Sequence, residues 1–512
     1  MKKIKKLLTL GLAWIIAITL MLSGCGGRSK ETASSANEEI KLKWVMSGSG
    51  EQSDSQTVWE KFNEKLKTYE GMKNVSVEFK IIPFSDYTQK FLLMQTSREH
   101  FDIAQTYQLN EIKEIRNETF MELGDLIDKN APEIKKDLPS FLMKFGQVNG
   151  KQYLIPNYQM LPSLWNLWLP KKMVDKYSDI SKIRETVKNP KSNTELYDVM
   201  ETYFKAAKAG GELGMGFNPN CAGLLFTERL FDGAYGQYSS RFVVKIGDET
   251  HKIVEVHKTD EIRQLYAKMA DWYQKDYIRK DVLSANLNDG KAREGGYLAY
   301  MNQANYGVEV INENGMDMYV VYANPSPFVP SVNVAGGNGI SVNCEHPDKA
   351  IKLLELMNTE KGKDLYNLLV YGIEGTHFEK AGDDKIKLIN NAGESSGSSY
   401  GLAKWIVGNT KYAYLLKSQP DDYKDMVFNK LNQGETTKYS EFIGFSADLS
   451  KYEAKLSQID AVAKEFHNPL SYGALGDWEK RYEEMVQKIN ACQADEICAE
   501  LQKQVDDFIK SK

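Results

Sequence analysis

An α/β fold is what this sequence predicts, on three observations. Strand-like and helix-like patterns alternate between residues 41 and 104 in the order strand, helix, strand, helix, strand, the grammar of an open α/β sheet. Polar turns stand where the first and third of those strands end, at Ser47–Gln52 and Gln105–Tyr107. From Ser446 onward the composition turns helical, with Trp478–Ile489 and Glu500–Ile509 as amphipathic runs. A chain of 512 residues exceeds what one hydrophobic core serves, so two or three domains of about 100–200 residues each are expected.

The elements follow in order. Lys2, Lys3, Lys5 and Lys6 precede an apolar run from Leu7 to Leu22, and Ser23-Gly24 lead into Cys25. A charged start, an apolar middle and small residues at the cut describe a secretory signal over residues 1–24. The run falls short of the roughly 20 apolar residues that a spanning helix needs. Leu22-Ser23-Gly24-Cys25 resembles a bacterial lipobox, which implies acylation of Cys25 and a lipid anchor outside the cell membrane. Two or more acyl chains hold a protein stably at such a surface. No large apolar residue occurs between Gly26 and Glu39, so residues 25–40 read as a flexible tether.

Order begins at Lys41-Leu42-Lys43-Trp44-Val45-Met46, which alternates as a strand does. Val58, Trp59, Phe62, Leu66 and Tyr69 share one face of a helix. Val75, Val77, Phe79 and Ile81 form a second strand, and Ser85 is placed to cap a helix carrying Tyr87, Phe91, Leu92 and Met94. Phe101–Ala104 is the third strand. Ligands of open α/β sheets bind outside the carboxyl ends of the strands, which draws attention to the two polar turns. The middle of the chain mixes helical patterns such as Ile262–Tyr273 with short strands such as Phe242–Ile246 and Lys252–Val256. Asn391–Tyr400 is a Gly/Ser-rich loop.

The formal net charge of −5 is spread along the chain, which argues against nucleic acid as a partner. Cys221 and Cys344 stand alone in apolar settings and read as buried thiols. Cys492 and Cys498 are closely spaced in a chain marked for export. On one unbroken helix residues six apart face different sides, out of bridging range. With Asn490 ending one helix and Asp495 starting the next, the sulfurs could meet, and a Cys492–Cys498 disulfide is expected.

Enzyme motifs are missing. No serine sits in a Gly-x-Ser-x-Gly elbow, and neither a phosphate loop nor His-Glu-x-x-His occurs. Gly214-Met215-Gly216 and Gly337-Asn338-Gly339 fail as dinucleotide loops at Pro219 and Val342. His251 and His257 bracket a strand-like run too long for a shared metal, and Leu287 and Gly296 break a calcium-loop imitation at 286–290. No catalytic residue, cofactor or metal is therefore expected. Aromatics beside polar turns stand out instead: Tyr107, Tyr153, Tyr158, Trp165, Trp168, Tyr306, Tyr371 and Trp405. An aromatic face packs on the C–H face of a sugar while placed polar groups bond its hydroxyls, although most such rings in any protein are simply core.

At this level the chain resembles the family 1 extracellular solute-binding lipoproteins of carbohydrate ABC importers, in a long subgroup whose C-terminal domain has no established role. The carriers are the Cys25 motif, the first strand with Ser47-Gly48-Ser49-Gly50, Phe101-Asp102-Ile103, and Gly150-Lys151-Gln152-Tyr153-Leu154-Ile155-Pro156 followed by Leu169-Pro170-Lys171-Lys172-Met173-Val174. Further along come Gly295-Gly296-Tyr297-Leu298-Ala299-Tyr300-Met301, Pro347-Asp348-Lys349-Ala350, and Tyr366-Asn367-Leu368-Leu369-Val370-Tyr371-Gly372-Ile373-Glu374-Gly375. The resemblance implies a two-lobe, periplasmic-binding-protein-like α/β fold with a hinge, plus a helical C-terminal extension. Its boundaries would be 41–155 with 319–338 for lobe 1, 156–318 with 339–445 for lobe 2, and 446–512 for the helical region. Crossings are expected at Tyr153–Pro156, Tyr319–Gly336 and Gly337–Ser341. The implied ligand-binding residues are Ser47, Gln52, Tyr107, Asn157, Trp165, Tyr306, Glu374 and Trp405. The implied partners are a carbohydrate ligand, the permease subunits of an ABC transporter and, through lipid only, the membrane. A peptide or other non-sugar solute binder on the same fold and a lipid-anchored glycosidase are the alternatives.

Overall fold

The computed structural model describes residues 39–162, 165–188, 193–212, 230–235, 242–284, 297–303, 308–313, 315–322, 328–331, 335–435 and 437–512. Cys25, Cys221, Tyr306 and the segment 286–290 lie outside them. Lobe 1 is built on β1 (Ile40–Gly48), β2 (Val75–Pro83), β3 (Ile103–Gln105), β4 (Leu154–Pro156) and β5 (Gly337–Ile340), in the spatial order β2-β1-β3-β5-β4. β1 pairs in parallel with β2 and β3, so Trp44 stands opposite Phe79 on one side and Ile103 on the other. β5 inserts antiparallel between β3 and β4.

Alternation along β1 sends its side chains to two cores. Leu42, Trp44 and Met46 pack with Trp59 and Phe62 of α1 (Ser55–Leu66) and with α4 (Pro347–Asn358) and α5 (Lys363–Tyr371). Val45 faces the other way, toward Tyr87 and Phe91 of α2 (Tyr87–Ser97) and Ile115 of α3 (Glu111–Arg116). Ser85 does not cap α2: its hydroxyl donates to Asp86 at 2.8 Å, and Asp86 occupies the cap position. Asn110 does cap α3, its side chain accepting from the Lys113 amide at 3.1 Å.

Lobe 2 centres on the strand Trp165–Pro170, flanked antiparallel by Tyr300–Gln303 and Met316–Tyr322. A second sheet joins Phe231–Tyr235, Phe242–Lys245 and Ile253–Glu255. The expected boundaries need two corrections. Tyr319 pairs with Leu169 and so lies in lobe 2, because the return to lobe 1 starts only after Tyr322. Residues from Ile340 to Ile443 share the lobe 1 core instead of lobe 2, since β5 is hydrogen-bonded into the lobe 1 sheet and α4 and α5 follow it there. Gly337–Ser341 is thus no crossing. The three passages run from Pro156 to Trp165, from Tyr322 to Gly336, and around Phe442–Ile443.

Those passages are tied together. Leu161 donates its amide to Asn432 Oδ1 at 2.9 Å, and Phe328–Val329 pairs with Lys438–Tyr439. Buried Asp232 of lobe 2 accepts from the Ser331 amide at 3.0 Å and from the Ser440 hydroxyl. At Gly336 the backbone takes φ +62°, and a Cβ there would meet the Tyr107 nitrogen at 2.8 Å. Only glycine fits that approach.

The C-terminal helices α6 (Glu453–Ser471), α7 (Trp478–Ala491) and α8 (Ala494–Lys510) join the lobe 2 core. Phe466, Met485 and Leu501 pack with Leu265, Tyr266 and Met269. Gln502 of α8 covers the edge strand Ile253–Glu255: it accepts from the Ile253 amide at 2.8 Å and donates to the His251 carbonyl at 3.1 Å. A bonded edge cannot pair with another chain. The expected helix break comes at Cys492 and Gln493, the latter in a left-handed conformation with φ +62°. The disulfide does not follow from it. Cys492 and Cys498 are separate thiols, because the start of α8 aims Cys498 toward Glu255, where burial pushes its thiol up to about 11. No described helix is long and apolar enough to cross a membrane.

Candidate functional site

The carboxyl ends of β1, β2 and β3 converge beside the passages between lobes, and three aromatic rings meet there. Phe84 follows β2, Tyr107 follows β3, and Trp405 rides the short turn Lys404–Ile406. Phe84 and Trp405 are stacked with centroids 5.8 Å apart, and Tyr107 meets Trp405 edge-on at 4.7 Å. All three residues are half-buried.

Trp405 is held by its neighbours' carbonyls. Tyr366 donates to the Lys404 carbonyl at 2.7 Å, while Asn157 and Asn338 donate to the Ile406 carbonyl at 3.2 and 3.3 Å. Asn157 also accepts from Asn338 at 2.9 Å, and Asn338 accepts from Trp44 Nε1 at 3.0 Å. A fully satisfied buried network of this kind fixes one geometry.

Gln52 works in the same manner on the loop 391–400. Its Nε2 donates to the carbonyls of Gly393 and Ser395 at 3.0 and 2.7 Å, and its Oε1 accepts from the Gly401 amide at 2.8 Å. Ser49 donates to the Glu394 carbonyl. Buried Ser47 donates to Gln105 at 3.1 Å. Ser47, Gln52 and Asn157 therefore bond to the frame of the site.

Of the remaining expected residues, Tyr107 and Trp405 are brought together. Glu374 is exposed on the turn before the strand Phe378–Lys380, and no described contact joins it to the three rings. Trp165 opens its strand opposite Gln303, with its side chain outside the described residues, as is all of Tyr306. Tyr158, Trp168 and Tyr371 are core. Phe84 escaped the sequence reading although it obeys the rule that nominated Tyr107: it directly follows a strand of the same sheet.

Three ionisable groups stand on this end of lobe 1. Glu111, half-buried, accepts from the Thr106 hydroxyl, and burial lifts its carboxyl to about 7 against the smaller opposing effect of that bond. Burial also raises the Glu394 carboxyl, with Lys404 pulling it back, and lowers the Lys404 ammonium, with Glu394 opposing. The Glu394 side chain is itself exposed.

Comparison with known proteins fits this architecture. Residues 441–510 match the family model described as a domain of unknown function, DUF3502. Over 98% of both chains, the sequence is 23% identical to a carbohydrate ABC transporter substrate-binding protein of Streptococcus pneumoniae. An N-glycan transport solute-binding protein of the same organism superposes with a TM-score of 0.74 at 20% identity, covering 92% of this chain and 99% of that one. Its complex with Man1GlcNAc superposes at 0.73 and 21% identity, covering 92% and 100%. An HMO-binding, ABC-transporter-associated solute-binding protein from Bifidobacterium longum infantis gives 0.61 at 14%, covering 93% and 99%. The class is thus that of the two-lobe solute-binding-protein fold. Within it, this chain is similar along its length to carbohydrate-binding representatives that accompany ABC transporters, and it carries the DUF3502 region at its C-terminus.

Proposed function

We propose that the protein captures an oligosaccharide outside the cell and delivers it to an ABC permease by hinge closure, without altering it. The observation that carries this reading is the half-open trio Phe84, Tyr107 and Trp405 at the strand ends, set against the passages about which lobes would close. Two-lobe binding proteins close by small rotations at such passages, and ligand binding shifts the open–closed balance. The sugar-bound complexes of the pneumococcal relative support a carbohydrate as the ligand. Trp165 and Tyr306 would serve from lobe 2. Cys25 would be acylated after removal of residues 1–24 and would hold the protein at the outer face of the cell membrane.

A thermal-shift screen of the mature protein against Man1GlcNAc, Man5GlcNAc and kestose tests the reading, because a ligand bound only by the native state raises the melting temperature. A shift with at least one, lost in W405A, and recovery of that sugar intact are the expected results. Failure of every neutral oligosaccharide to shift the protein would end the carbohydrate reading. Mass spectrometry of the mature N-terminus tests the lipid on Cys25.

A further inference from the structure

We propose that α8 braces the third passage between the lobes and so sets the pivot for closure, an inference that rests on the hinge reading above. The strip 441–448 runs along the seam. Phe442 and Ala447 lie in the lobe 2 core, while Ile443 between them lies in the lobe 1 core. Gly444 follows at φ +86°, a left-handed turn that suits glycine, and Phe445 packs on the lobe 2 side again. Ile443 is thus seated in lobe 1 between neighbours that belong to lobe 2.

The end of the chain grips that strip point by point. Gln504 and Phe508 of α8, and Lys512 just beyond it, stand four residues apart and share one stripe. They meet the strip in antiparallel order. The Lys512 ammonium donates to the Glu441 carbonyl, and the rings of Phe508 and Phe445 lie 5.3 Å apart. Gln504 accepts from the Asp448 amide at 2.7 Å and donates to its carbonyl at 2.8 Å. The helix itself is fixed to lobe 2: Leu501 and Val505 are buried in that core, and Gln502 bonds the Ile253 amide at 2.8 Å.

Lobe 1 touches the strip at two further points. A Cβ at Gly444 would lie 3.6 Å from Lys144 Cβ, and Arg116 pairs with Asp448 at 3.2 Å. Hinge rotation is absorbed by the few residues of a passage that are not held elsewhere. With Glu441, Phe445 and Asp448 held to lobe 2, the turning at this passage falls on Ile443 in its lobe 1 seat. Without the grip the strip would add its own torsions, and the unliganded lobes would spread over more orientations. A smaller fraction would then be poised to close, and the apparent dissociation constant would rise by the same factor. Residues 441–510, matched as a single domain, contain both the strip and α8. The brace gives that domain a function in closure.

Small-angle X-ray scattering and isothermal titration of the full mature protein, with Man1GlcNAc, Man5GlcNAc and kestose as probes, test the proposal. Unliganded Q504A/F508A should show a larger radius of gyration and a broader distance distribution than the unaltered protein. Sugar should contract both proteins to the same size, and the variant should bind the best probe about tenfold more weakly. Q504A alone, which removes only a half-buried amide, should shift both quantities in the same directions by about threefold in affinity, and it keeps the test open should the double variant fail to fold. Unchanged scattering or unchanged affinity in the folded variants, with sugar still contracting the unaltered protein, would overturn the brace and leave the hinge reading standing. A probe that binds the unaltered protein without contracting it would remove both. Absence of binding by every probe would end the carbohydrate reading alone, since the unliganded scattering decides the brace by itself.

Discussion

Beneath the C-terminal helices, rings and amides are spent on the protein itself; at the strand ends of lobe 1, the same kinds of side chain stand half open. Gln502 closes a sheet edge, and Gln504 bonds both the amide and the carbonyl of Asp448, at 2.7 and 2.8 Å. Tyr266 bonds His467 Nδ1 at 2.9 Å, with the His257 ring 5.5 Å from that of His467. At the strand ends, Gln52 and Asn157 brace loops, but the residues those loops carry (Trp405, Glu394, Lys404) are half-buried or exposed. Aromatic richness alone therefore says little about binding; what separates site from core is whether the polar atoms alongside are already used.

The sharpest way to break that contrast is a cavity at the C-terminal interface. L501A removes a fully buried side chain from α8 and should cost about 3 kcal/mol of stability, as large-to-small core changes do, with sugar affinity retained. Urea denaturation and titration read the two quantities separately. A loss of affinity with intact lobes would mean the helices take part in binding.

W405A should do the opposite, weakening sugar affinity by about 2 kcal/mol in the manner of an anchoring aromatic, with a smaller stability loss than L501A. Titration calorimetry paired with urea denaturation decides it.

The two regions should also answer acid with opposite signs. Burial, aided by His257, holds His467 down at about 3, so the unfolded chain takes up that proton first and stability falls as pH drops below about 6.5. Glu111 lies above its ordinary value, so its burial cost is present above pH 7 and is relieved as pH falls toward about 4.5. Urea midpoints at pH 7.5 and 5.0 should show H467Q removing part of the acid loss. E111Q should be more stable than the unaltered protein at pH 7.5 and level with it at pH 5.0.

The smallest effect belongs to Arg116–Asp448, a 3.2 Å ion pair from α3 to the C-terminal region. It is solvent-exposed on one side, so R116A should change stability by roughly 1 kcal/mol or less. A larger change in sugar affinity than in stability would make the pair part of the closure mechanism.

Much of this was legible in the chain. The strands and helices of residues 41–104 announce themselves by period, and Tyr107 and Trp405 by aromatic character beside turns. The internal bonds of Ser47, Gln52 and Asn157 were not legible, because sequence shows which atoms a side chain owns but not which are already bonded. The boundary error after Gly337 has a similar origin: β5 is four residues long and half glycine, with no pattern to declare which sheet receives it. Cys492 and Cys498 are near in sequence across a true helix break, yet side-chain direction at the start of α8 parts them.

Because β5 lies between β3 and β4, those two strands are joined only through it, and each has an unpaired edge until it arrives. A chain emerging from the export machinery has made all of β1 to β4 by Pro156 but must wait for Gly337 before their sheet can close. In the interval it must lay down the core strands of the other lobe. Lobe 1 is thus begun first and completed late, and its open edges are a period of exposure to mispairing that follows from topology alone.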